Sequence, residues 1–255
     1  MNITSLFRID IFNYNLFLVP KIIWTRYKYR VALKTAKKNR TLKGIANGTL
    51  YICGNGPSLN SFDPSSFDDD YLVVNDFFRF PHKDPSHPPR FYMILDESYL
   101  DERFSDRYNG VFNPGFETTY LINGQMYKRV SNDYPNKKIF YFCPWGQLFS
   151  HKKNFKFDKI HSRTWNVVSE AILFGIFAGY KEIRLVGCDY SVFAANKHFY
   201  AQEQSHANLK DMLFKYCFTT YVHYEIAKYA KNKGVCIKNC TSDSLLDAYE
   251  FLELI

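Results

Sequence analysis

Short apolar runs alternate with longer helix-like patterns along most of the chain. Six runs predict buried strands, at 50–53, 71–74, 90–95, 138–142, 183–186 and 235–237. Two further stretches, 164–178 and 206–233, have helical patterning, and each is followed by a glycine. Apolar strands that alternate with helices are typical of a parallel sheet covered on both faces. We therefore expect an α/β fold with a Rossmann-like, mostly parallel sheet and helices on both faces.

Two stretches between these elements follow neither pattern. Residues 101–135 and 143–162 are irregular, aromatic and marked by Gly, Asn and Pro. Loops held by a rigid scaffold often carry function. We expect these stretches to be insertions or a lid over the ligand site.

The first 48 residues differ from the rest, so we divide the chain into a segment over 1–48 and a catalytic domain over 49–255. The segment has ten Lys and Arg residues against one Asp, whereas the remaining 207 residues have 23 basic and 24 acidic ones. Apolar and aromatic residues followed by a basic run are typical of a segment lying on an anionic membrane. A helix docked on the domain, with a solvated basic face, explains the pattern equally well.

The composition excludes several classes of protein. A hydrophobic content of 46% argues against disorder, and the nearly neutral body of the chain argues against nucleic-acid binding. The six cysteines form no CxxC pair and lack the spacing of zinc ligands, so we interpret them as reduced thiols of a cytoplasmic protein. The longest apolar run, 171–180, is too short to span a bilayer. Peripheral contact with the inner membrane is left open.

Short polar residues follow the ends of four predicted strands. They are Asn55, Asn75, Asp96 and Asp189, and Asp76 adjoins Asn75. In open α/β sheets the ligand lies beyond the carboxyl ends of the strands. These side chains therefore predict one shared cleft.

The turn after the first predicted strand reads GNGPSL, at residues 54–59. Backbone N–H groups at a glycine turn that opens a helix form a natural phosphate site. The turn is not a Walker loop, and Leu59 stands where a dinucleotide fingerprint has its third glycine. An ordinary tight turn is the alternative. The residues expected to contact the ligand here are Gly54, Asn55, Gly56, Pro57 and Ser58.

Three sequence blocks, taken in order, resemble a known family. They are GNGPSL at 54–59, GYKEI at 179–183 followed by GCDY at 187–190, and NCT at 239–241 followed by SLL at 244–246. Together they are similar to the bacterial sialyltransferases of glycosyltransferase family 42 and to the related MptE-like group. The resemblance covers roughly residues 49–255, with gaps.

The resemblance implies a donor that is a CMP-sugar such as CMP-sialic acid. It implies that residues 55–58 hold the phosphate, that Asn75 contacts the nucleotide, and that Asp189 lies near the cytidine or ribose. Ser242 and Ser244 would lie near the base-binding end, and the hydroxyls of Tyr190 and Tyr200 are the candidates for contact with the leaving phosphate. The chain departs from the family at 163–166, where Arg-x-Thr-Ser is replaced by RTWN, and at Asp96, which replaces an Asn.

A glycosyl transfer needs a base for the acceptor hydroxyl, and histidine titrates near neutral pH. His206 opens the long predicted helix and is our first candidate, because the family's base also precedes a helix at this place. His198 is the second candidate. His223, in the middle of the helix, is expected to be a core or surface residue.

We therefore expect a sialyltransferase-like enzyme that modifies a bacterial surface glycan or a lipid-linked acceptor by direct displacement, as in lipopolysaccharide or capsule biosynthesis. Its partners would be the nucleotide-sugar donor and the glycan acceptor, and homo-oligomer formation is left open. We expect no metal and no cofactor, since the DDD run at 68–70 precedes a strand, away from the cleft. The alternatives are an MptE-like pyrophosphokinase using ATP and Mg²⁺, or a non-catalytic glycan- or nucleotide-binding protein.

Overall fold

The structure is a computed structural model, and it describes residues 30–67, 69–81, 84–191 and 209–253. Nine strands and five α-helices lie within these ranges. The strands are β1 Thr49–Cys53, β2 Asp70–Val74, β3 Phe91–Ile94, β4 Thr119–Asn123, β5 Ile139–Leu148, β6 Ile160–Arg163, β7 Glu182–Val186, β8 Cys236–Asn239 and β9 Glu250–Phe251. The helices are α1 Arg30–Ala36, α2 Ser105–Phe112, α3 Tyr127–Asp133, α4 Val167–Ala178 and α5 Leu209–Lys233.

The strands form one parallel sheet in the order β6-β5-β4-β3-β2-β1-β7-β8-β9. Strand β1 is central, and its Cys53 pairs with Val73 of β2 on one side and with Val186 of β7 on the other. The strand order reverses between β1 and β7, and such a switch point opens a crevice at the carboxyl ends of the strands. The predicted fold class is confirmed.

Each face of the sheet has its own apolar core, because side chains alternate along a strand. Leu50 and Ile52 point to the face that α4 and α5 cover. Tyr51 and Cys53 point to the other face, which α2, α3 and several 3₁₀ turns cover. Both layers hold the turns at the carboxyl edge in place.

Helix α4 has clear start and stop signals in the sequence. Asn166 is its N-cap, and its Oδ1 accepts from the N–H groups of Val168 at 2.8 Å and Ser169 at 3.2 Å. Gly179 ends the helix at a φ of +103°, a left-handed value that favours glycine. The helix N-terminus thus lies at the edge of the sheet where the crevice opens.

The stretches expected to be insertions or a lid contain elements of the sheet instead. Residues 101–135 form α2, β4 and α3, and β4 pairs with both β3 and β5. Residues 143–162 include the end of β5 and the start of β6, with a register shift between Pro144 and Leu148. A four- to five-residue strand gives too short a pattern to identify among aromatic neighbours.

The described part of the basic N-terminal segment packs on the domain. Asn39 is buried, and its Nδ2 donates to Tyr141 O at 2.8 Å and to Phe157 O at 2.9 Å. Leu42 is also buried in the core. Residues 30–48 therefore dock on the sheet layer, whereas residues 1–29 lie outside the described residues.

Within the described ranges, none of the helices is both long enough and apolar enough to cross a membrane. All six cysteines are free thiols.

Candidate functional site

The turns after β1 and β7 lie against each other at the carboxyl edge of the sheet. Gly54 N–H donates to Val186 O at 2.8 Å, and Gly56 N–H donates to Gly187 O at 2.8 Å. A Cβ on Gly56 would lie 1.8 Å from Asp189 Oδ2 and 2.8 Å from Gly187 O. Because the φ of Gly56 is −73°, an ordinary value, glycine is needed there for space. The glycines of the GNGPSL turn therefore make room for the β7 turn.

Asp189 joins these two turns through its side chain. Its Oδ1 accepts from Ser58 N–H at 3.2 Å, and its Oδ2 accepts from the Ser58 hydroxyl at 2.7 Å. The carboxylate thus caps the 3₁₀ turn Pro57–Ser61, and it keeps lone pairs for further donors.

Four of the five N–H groups of the GNGPSL turn have partners within the described part of the protein, and the N–H of Asn55 has none there. The turn N–H groups that already donate belong to Gly54, Gly56, Ser58 and Leu59. Pro57 has no N–H, and the Asp189 carboxylate beside the turn would repel an anion. The turn therefore offers the Asn55 N–H as a donor beside the acceptor at Asp189, and the phosphate role expected from the sequence stays a prediction.

Asn55 and Asn75 present amide oxygens at the ends of β1 and β2. Asn55 Nδ2 donates to Val74 O at 3.1 Å, but the Oδ1 atoms of Asn55 and Asn75 are buried with no hydrogen-bond partner in the described part of the chain. A buried acceptor without a hydrogen bond lowers the free energy of unfolding by about 1–3 kcal/mol. Asn75 also has a φ of +47°, and its carbonyl accepts from the Tyr92 hydroxyl at 2.6 Å. Strained residues of this kind cluster at functional sites.

Asp76, expected at the ligand, is buried in an ion pair. Its side chain is 1% exposed, and Arg107 Nε donates to its Oδ1 at 3.0 Å and to its Oδ2 at 2.9 Å. The Tyr99 hydroxyl donates to the same carboxylate. Burial by itself lowers the pKa of Arg107, but the neighbouring Tyr99 and Asp76 outweigh it and raise that pKa. Asp76 therefore positions Arg107 and keeps it cationic.

A cavity of about 360 Å³ collects these side chains at the strand ends, a volume within the usual range of ligand sites. Its polar wall includes Asn55, Asn75, Asp96, Arg107 and Asp189. All four polar residues predicted to follow strand ends thus share one cavity. Arg107 is its cation among the described lining residues.

Tyr190 also lines this cavity, but its hydroxyl is engaged with α5. It lies 2.6 Å from Thr219 Oγ1 and 3.0 Å from Thr220 Oγ1. Burial is the largest of the effects that raise the pKa of this phenol. The Tyr190 hydroxyl therefore links the β7 turn to α5, and its expected contact with the leaving phosphate stays a prediction.

His223 is a buried histidine at the back of the same cavity. Its Nε2 lies 3.0 Å from Ser169 Oγ, and its Nδ1 lies 2.8 Å from the Tyr249 hydroxyl. Burial lowers its pKa to about 3, so the imidazole is neutral at physiological pH. This agrees with the expectation of a core histidine.

Ser242 and Ser244 were expected at the base-binding end. Ser244 Oγ donates to Cys188 O at 2.6 Å and accepts from Leu246 N–H at 3.1 Å, while Ser242 is exposed. Neither serine lines the cavity in the described chain, but Leu246 does. The loop after β8 therefore binds the β7 turn through Ser244 and contributes the apolar side chain of Leu246 to the cavity wall.

A larger cavity, of about 770 Å³, adjoins the first and shares Asn75, Asp96 and Asn166 with it. Trp165 lies at its rim, 44% exposed and with a φ of +59°, a strained value for a bulky residue. Its ring packs on Phe218 at 5.1 Å between centroids. The other aromatic and charged residues of the wall include Arg163, Asp211, Phe214 and Lys215.

No group of three or more His, Cys, Asp or Glu residues in the described ranges could hold a metal ion. Asp96 lines both cavities and caps a 3₁₀ turn by accepting from Ser98 N–H at 2.9 Å. Asp70, from the DDD run, accepts from the Tyr180 hydroxyl at 2.6 Å and pairs with Arg90 at the amino end of β2. This carboxylate lies at the edge of the sheet opposite the two cavities.

The proposed bases His206 and His198, together with Tyr200, lie outside the described residues. Their assignment stays a prediction.

Sequence reasoning missed two residues of the site. Arg107 lies in the stretch that the sequence predicts to be irregular, and its contact with Asp76 has no signal in the sequence. Trp165 stands in a segment that departs from the family motif, but this departure does not predict the larger cavity that Trp165 borders.

Neither the protein-family models nor the curated protein sequences contain a match to this chain. Among solved structures, the sialyltransferase CstII from Campylobacter jejuni in complex with the substrate analogue cytidine-5'-monophosphate is similar. It has 17% identity, a TM-score of 0.49, and coverage of 80% of this chain and 84% of CstII. The monofunctional alpha-2,3-sialyltransferase Cst-I from the same organism has 16% identity, a TM-score of 0.47, and coverage of 81% and 80%.

A structure of the sialyltransferase CST-II with a trisaccharide acceptor and CMP has 16% identity, a TM-score of 0.48, and coverage of 80% of this chain and 85% of the other. These values describe a distant similarity, so activity has to be inferred from the residues of this chain. All three are structures of sialyltransferases.

Proposed function

We propose that this protein is a glycosyltransferase that uses a CMP-sugar donor. The observation that carries the proposal is the wall of the smaller cavity, at the switch point of the sheet. Among the described lining residues, several hydrogen-bond acceptors surround the guanidinium of Arg107. A nucleoside monophosphate leaving group has matching chemistry, with several donors and one phosphate.

The acceptors of the wall suit the nucleoside. Asn55 Oδ1 and Asn75 Oδ1 are buried and lack donors, and Asp189 keeps lone pairs beyond those that Ser58 uses. Ribose hydroxyls and the exocyclic amine of cytosine would supply the missing donors. A neutral nucleoside is also compatible with the carboxylate at Asp189, which a phosphate is not.

Arg107 suits the phosphate. Its position is fixed by hydrogen bonds to Asp76 and Tyr99, and a preorganised guanidinium stabilises negative charge that develops on a leaving oxygen. We assign the phosphate to the Arg107 side of the cavity, rather than to the N–H groups at 54–58. One cation beside one phosphate requires no metal.

The reaction would be a direct displacement. An acceptor hydroxyl attacks the anomeric carbon, the bond from that carbon to the phosphate oxygen breaks, and CMP leaves with the bonding electrons. The acceptor proton passes to a base, for which we keep His206 and then His198. His223 is unsuited to this role, since it is neutral and both its nitrogens are engaged.

The larger cavity would hold the acceptor glycan. The exposed ring of Trp165 offers a flat apolar surface for the face of a sugar ring, and Asp96, Gln125 and Asp211 offer partners for hydroxyl groups. Since the two cavities share Asn75 and Asp96, a donor and an acceptor would meet there. A bacterial surface glycan or a lipid-linked acceptor, reached from the cytoplasmic side of the inner membrane, fits the proposal.

The direct test is release of CMP from CMP-sialic acid and related CMP-sugars, with and without simple sugar acceptors. We expect acceptor-stimulated release that persists in the presence of a chelator. Release that is abolished in the His206→Ala variant, with CMP binding retained, would identify the base. His198→Ala is the matched variant.

Two results would contradict the proposal. One is the absence of turnover and of binding with every CMP-sugar. The other is magnesium-dependent consumption of ATP, which would favour the pyrophosphokinase alternative. CMP binding without turnover in any condition would instead favour a non-catalytic nucleotide-binding protein.

A further inference from the structure

A second large cavity lies at the amino ends of the strands, away from the proposed active site. It has a volume of about 700 Å³, and its lining includes Lys181, directly before β7, and Val235, directly before β8. Both active-site cavities lie at the carboxyl ends of the strands. The two regions therefore occupy opposite edges of the sheet.

This cavity, which we call the basic cavity, is strongly cationic. Six of its lining residues are basic: Arg40, Lys43, Lys156, Lys159, Lys181 and Lys233. The single lining carboxylate, Asp158, pairs with Arg40 at 2.8 Å. In the described parts of the chain, Lys43, Lys156, Lys159 and Lys181 have no ion-pair partner.

A cleft lined by charges of one sign attracts ions of the opposite sign. Residues 49–255, which include four of these six basic residues, carry 23 basic and 24 acidic residues in total. The charges therefore gather in one concavity of a nearly neutral body. This pattern indicates a binding site for a polyanionic or phosphate-bearing group.

The floor and surroundings of the basic cavity narrow the class of ligand. Its floor is apolar and aromatic, with Phe155, Phe177 and Tyr229. Exposed Lys34, Lys37 and Lys38 continue the positive charge along the chain next to Arg40. A concave headgroup-sized site with a positive rim is typical of contact with an anionic lipid surface.

We propose that the basic cavity binds the phosphate headgroup of an anionic phospholipid and so holds the amino edge of the sheet against a membrane. The active-site cavities, at the other edge, would then face away from the bilayer, and a lipid-linked acceptor would reach them with the outer end of its glycan. This proposal does not depend on the identity of the donor sugar. It adds a folded lipid site to the contribution expected from the N-terminal segment.

The test is co-sedimentation of the full chain with vesicles of phosphatidylcholine alone or mixed with phosphatidylglycerol. We expect binding to the mixed vesicles only, weakened by added salt because the attraction is screened. The Lys156→Glu/Lys181→Glu variant should bind at least about tenfold more weakly. The Arg103→Glu/Lys128→Glu variant makes the same change in net charge on the face of the sheet that α2 and α3 cover. It should bind the mixed vesicles like the wild type.

Intact folding of each variant is checked by its thermal unfolding midpoint, and Lys156→Gln/Lys181→Gln replaces the charge-reversed variant if that one is unstable. Equal binding by the two charge-reversed variants would overturn the proposal, because net charge or the N-terminal segment would then explain the binding. Equal binding to both kinds of vesicle would also overturn it. So would retention on DNA or polyphosphate without vesicle binding, which would point to a free polyanion.

Discussion

The buried amide oxygens of Asn55 and Asn75 are the individual atoms on which the proposed function depends most. Each oxygen lacks a donor among the described residues, and both residues line the cavity at the switch point. Native proteins leave few buried polar atoms unpaired, so an orphan acceptor in a cavity points to a ligand that supplies the donor.

The Asn75→Gly variant tests this directly. Glycine accepts the φ of +47° without strain, so the backbone of the turn should persist while the amide oxygen is lost. We expect CMP to bind about tenfold more weakly, which corresponds to the loss of one buried hydrogen bond of about 1.4 kcal/mol. Isothermal titration calorimetry gives the affinity, and the unfolding midpoint confirms an intact fold. Wild-type affinity in this variant would remove Asn75 from the nucleotide site.

Trp165 makes a second prediction at this scale. Replacing Trp165 by Ala should raise the KM for the acceptor several-fold and leave the affinity for CMP nearly unchanged, because the ring borders the larger cavity and not the smaller one. Trp165→Phe, which keeps an aromatic face, should recover most of the loss. The measurement is a steady-state comparison of the two variants with varied acceptor. A change confined to CMP affinity would place Trp165 at the donor instead.

At the scale of elements, the close approach of the β1 and β7 turns shapes the site. Gly56→Ala would put a Cβ against Asp189 Oδ2 and Gly187 O, although its φ is ordinary. We expect a destabilisation of about 2–3 kcal/mol from overpacking and a large loss of CMP affinity. Chemical unfolding gives the change in stability, and calorimetry gives the change in CMP affinity.

Gly115→Ala is the matched control for that variant. Gly115 has a φ of +88°, but a Cβ there meets nothing within 4 Å. Replacing Gly115 by Ala should lower the free energy of unfolding by about 1 kcal/mol through backbone strain and leave CMP binding intact. If Gly56→Ala were as mild as Gly115→Ala, the two turns would not be packed as described.

Helix α5 is tied to the loop after β5 by Glu225, which makes an acid-sensitive contact. Its Oε2 lies 2.7 Å from His151 Nδ1 and accepts from His151 N–H at 3.0 Å. Burial by itself raises the pKa of Glu225, but hydrogen bonds from His151 and Lys228 outweigh it and lower that pKa to about 2. A carboxyl with a depressed pKa stabilises the fold above its unfolded pKa, and this contribution is lost as the pH falls from about 4.5 to about 2.

Glu225→Gln should therefore lower the free energy of unfolding by about 1–3 kcal/mol at neutral pH. The difference from the wild type should shrink as the pH falls below about 4. Glu117→Gln is the control, since the Glu117 side chain is 86% exposed and its pair with Lys137 should contribute little. Urea unfolding at several pH values gives both curves. A difference that does not change with pH would show that the contact is not electrostatic.

The sequence predicted the long elements better than the short ones. Helix α4 was predicted because of its continuous apolar pattern and the glycine that follows it, and β1 and β7 because each combines a short apolar run with a glycine turn. The sequence does not predict β4, β6 or the short helices α2 and α3, because four to eight residues among many aromatics give no distinct period. Strand pairing then brought β4 between β3 and β5, which no local pattern encodes.

At the scale of the whole molecule, the parallel sheet explains why part of the site was predictable. Its carboxyl edge brings Asn55, Asn75, Asp96 and Asp189 to one cavity, as the strand-end rule expects. Arg107 comes to the same cavity from a helix on the second face, through a contact with Asp76 that depends on the packing of two layers. Such a contact between distant segments has no signature in the sequence.

The same sheet separates two kinds of surface. The acceptor-rich cavities occupy the carboxyl edge, and the basic cavity occupies the amino edge. An enzyme that binds a membrane at the amino edge of its sheet can transfer a sugar to a glycan at the carboxyl edge. This arrangement joins the proposed function and the proposed lipid site without making either depend on the other.

The most direct test of the central claim is calorimetric titration of the full chain with CMP in the presence of a chelator, set beside ATP with Mg²⁺. We predict that CMP binds without a metal and that the Asn75→Gly and Gly56→Ala variants lose most of this affinity. At a tenfold excess over its Kd, CMP should also stabilise the fold by about 1.4 kcal/mol. No binding of CMP at millimolar concentration, or binding of ATP alone and only with Mg²⁺, would contradict the account.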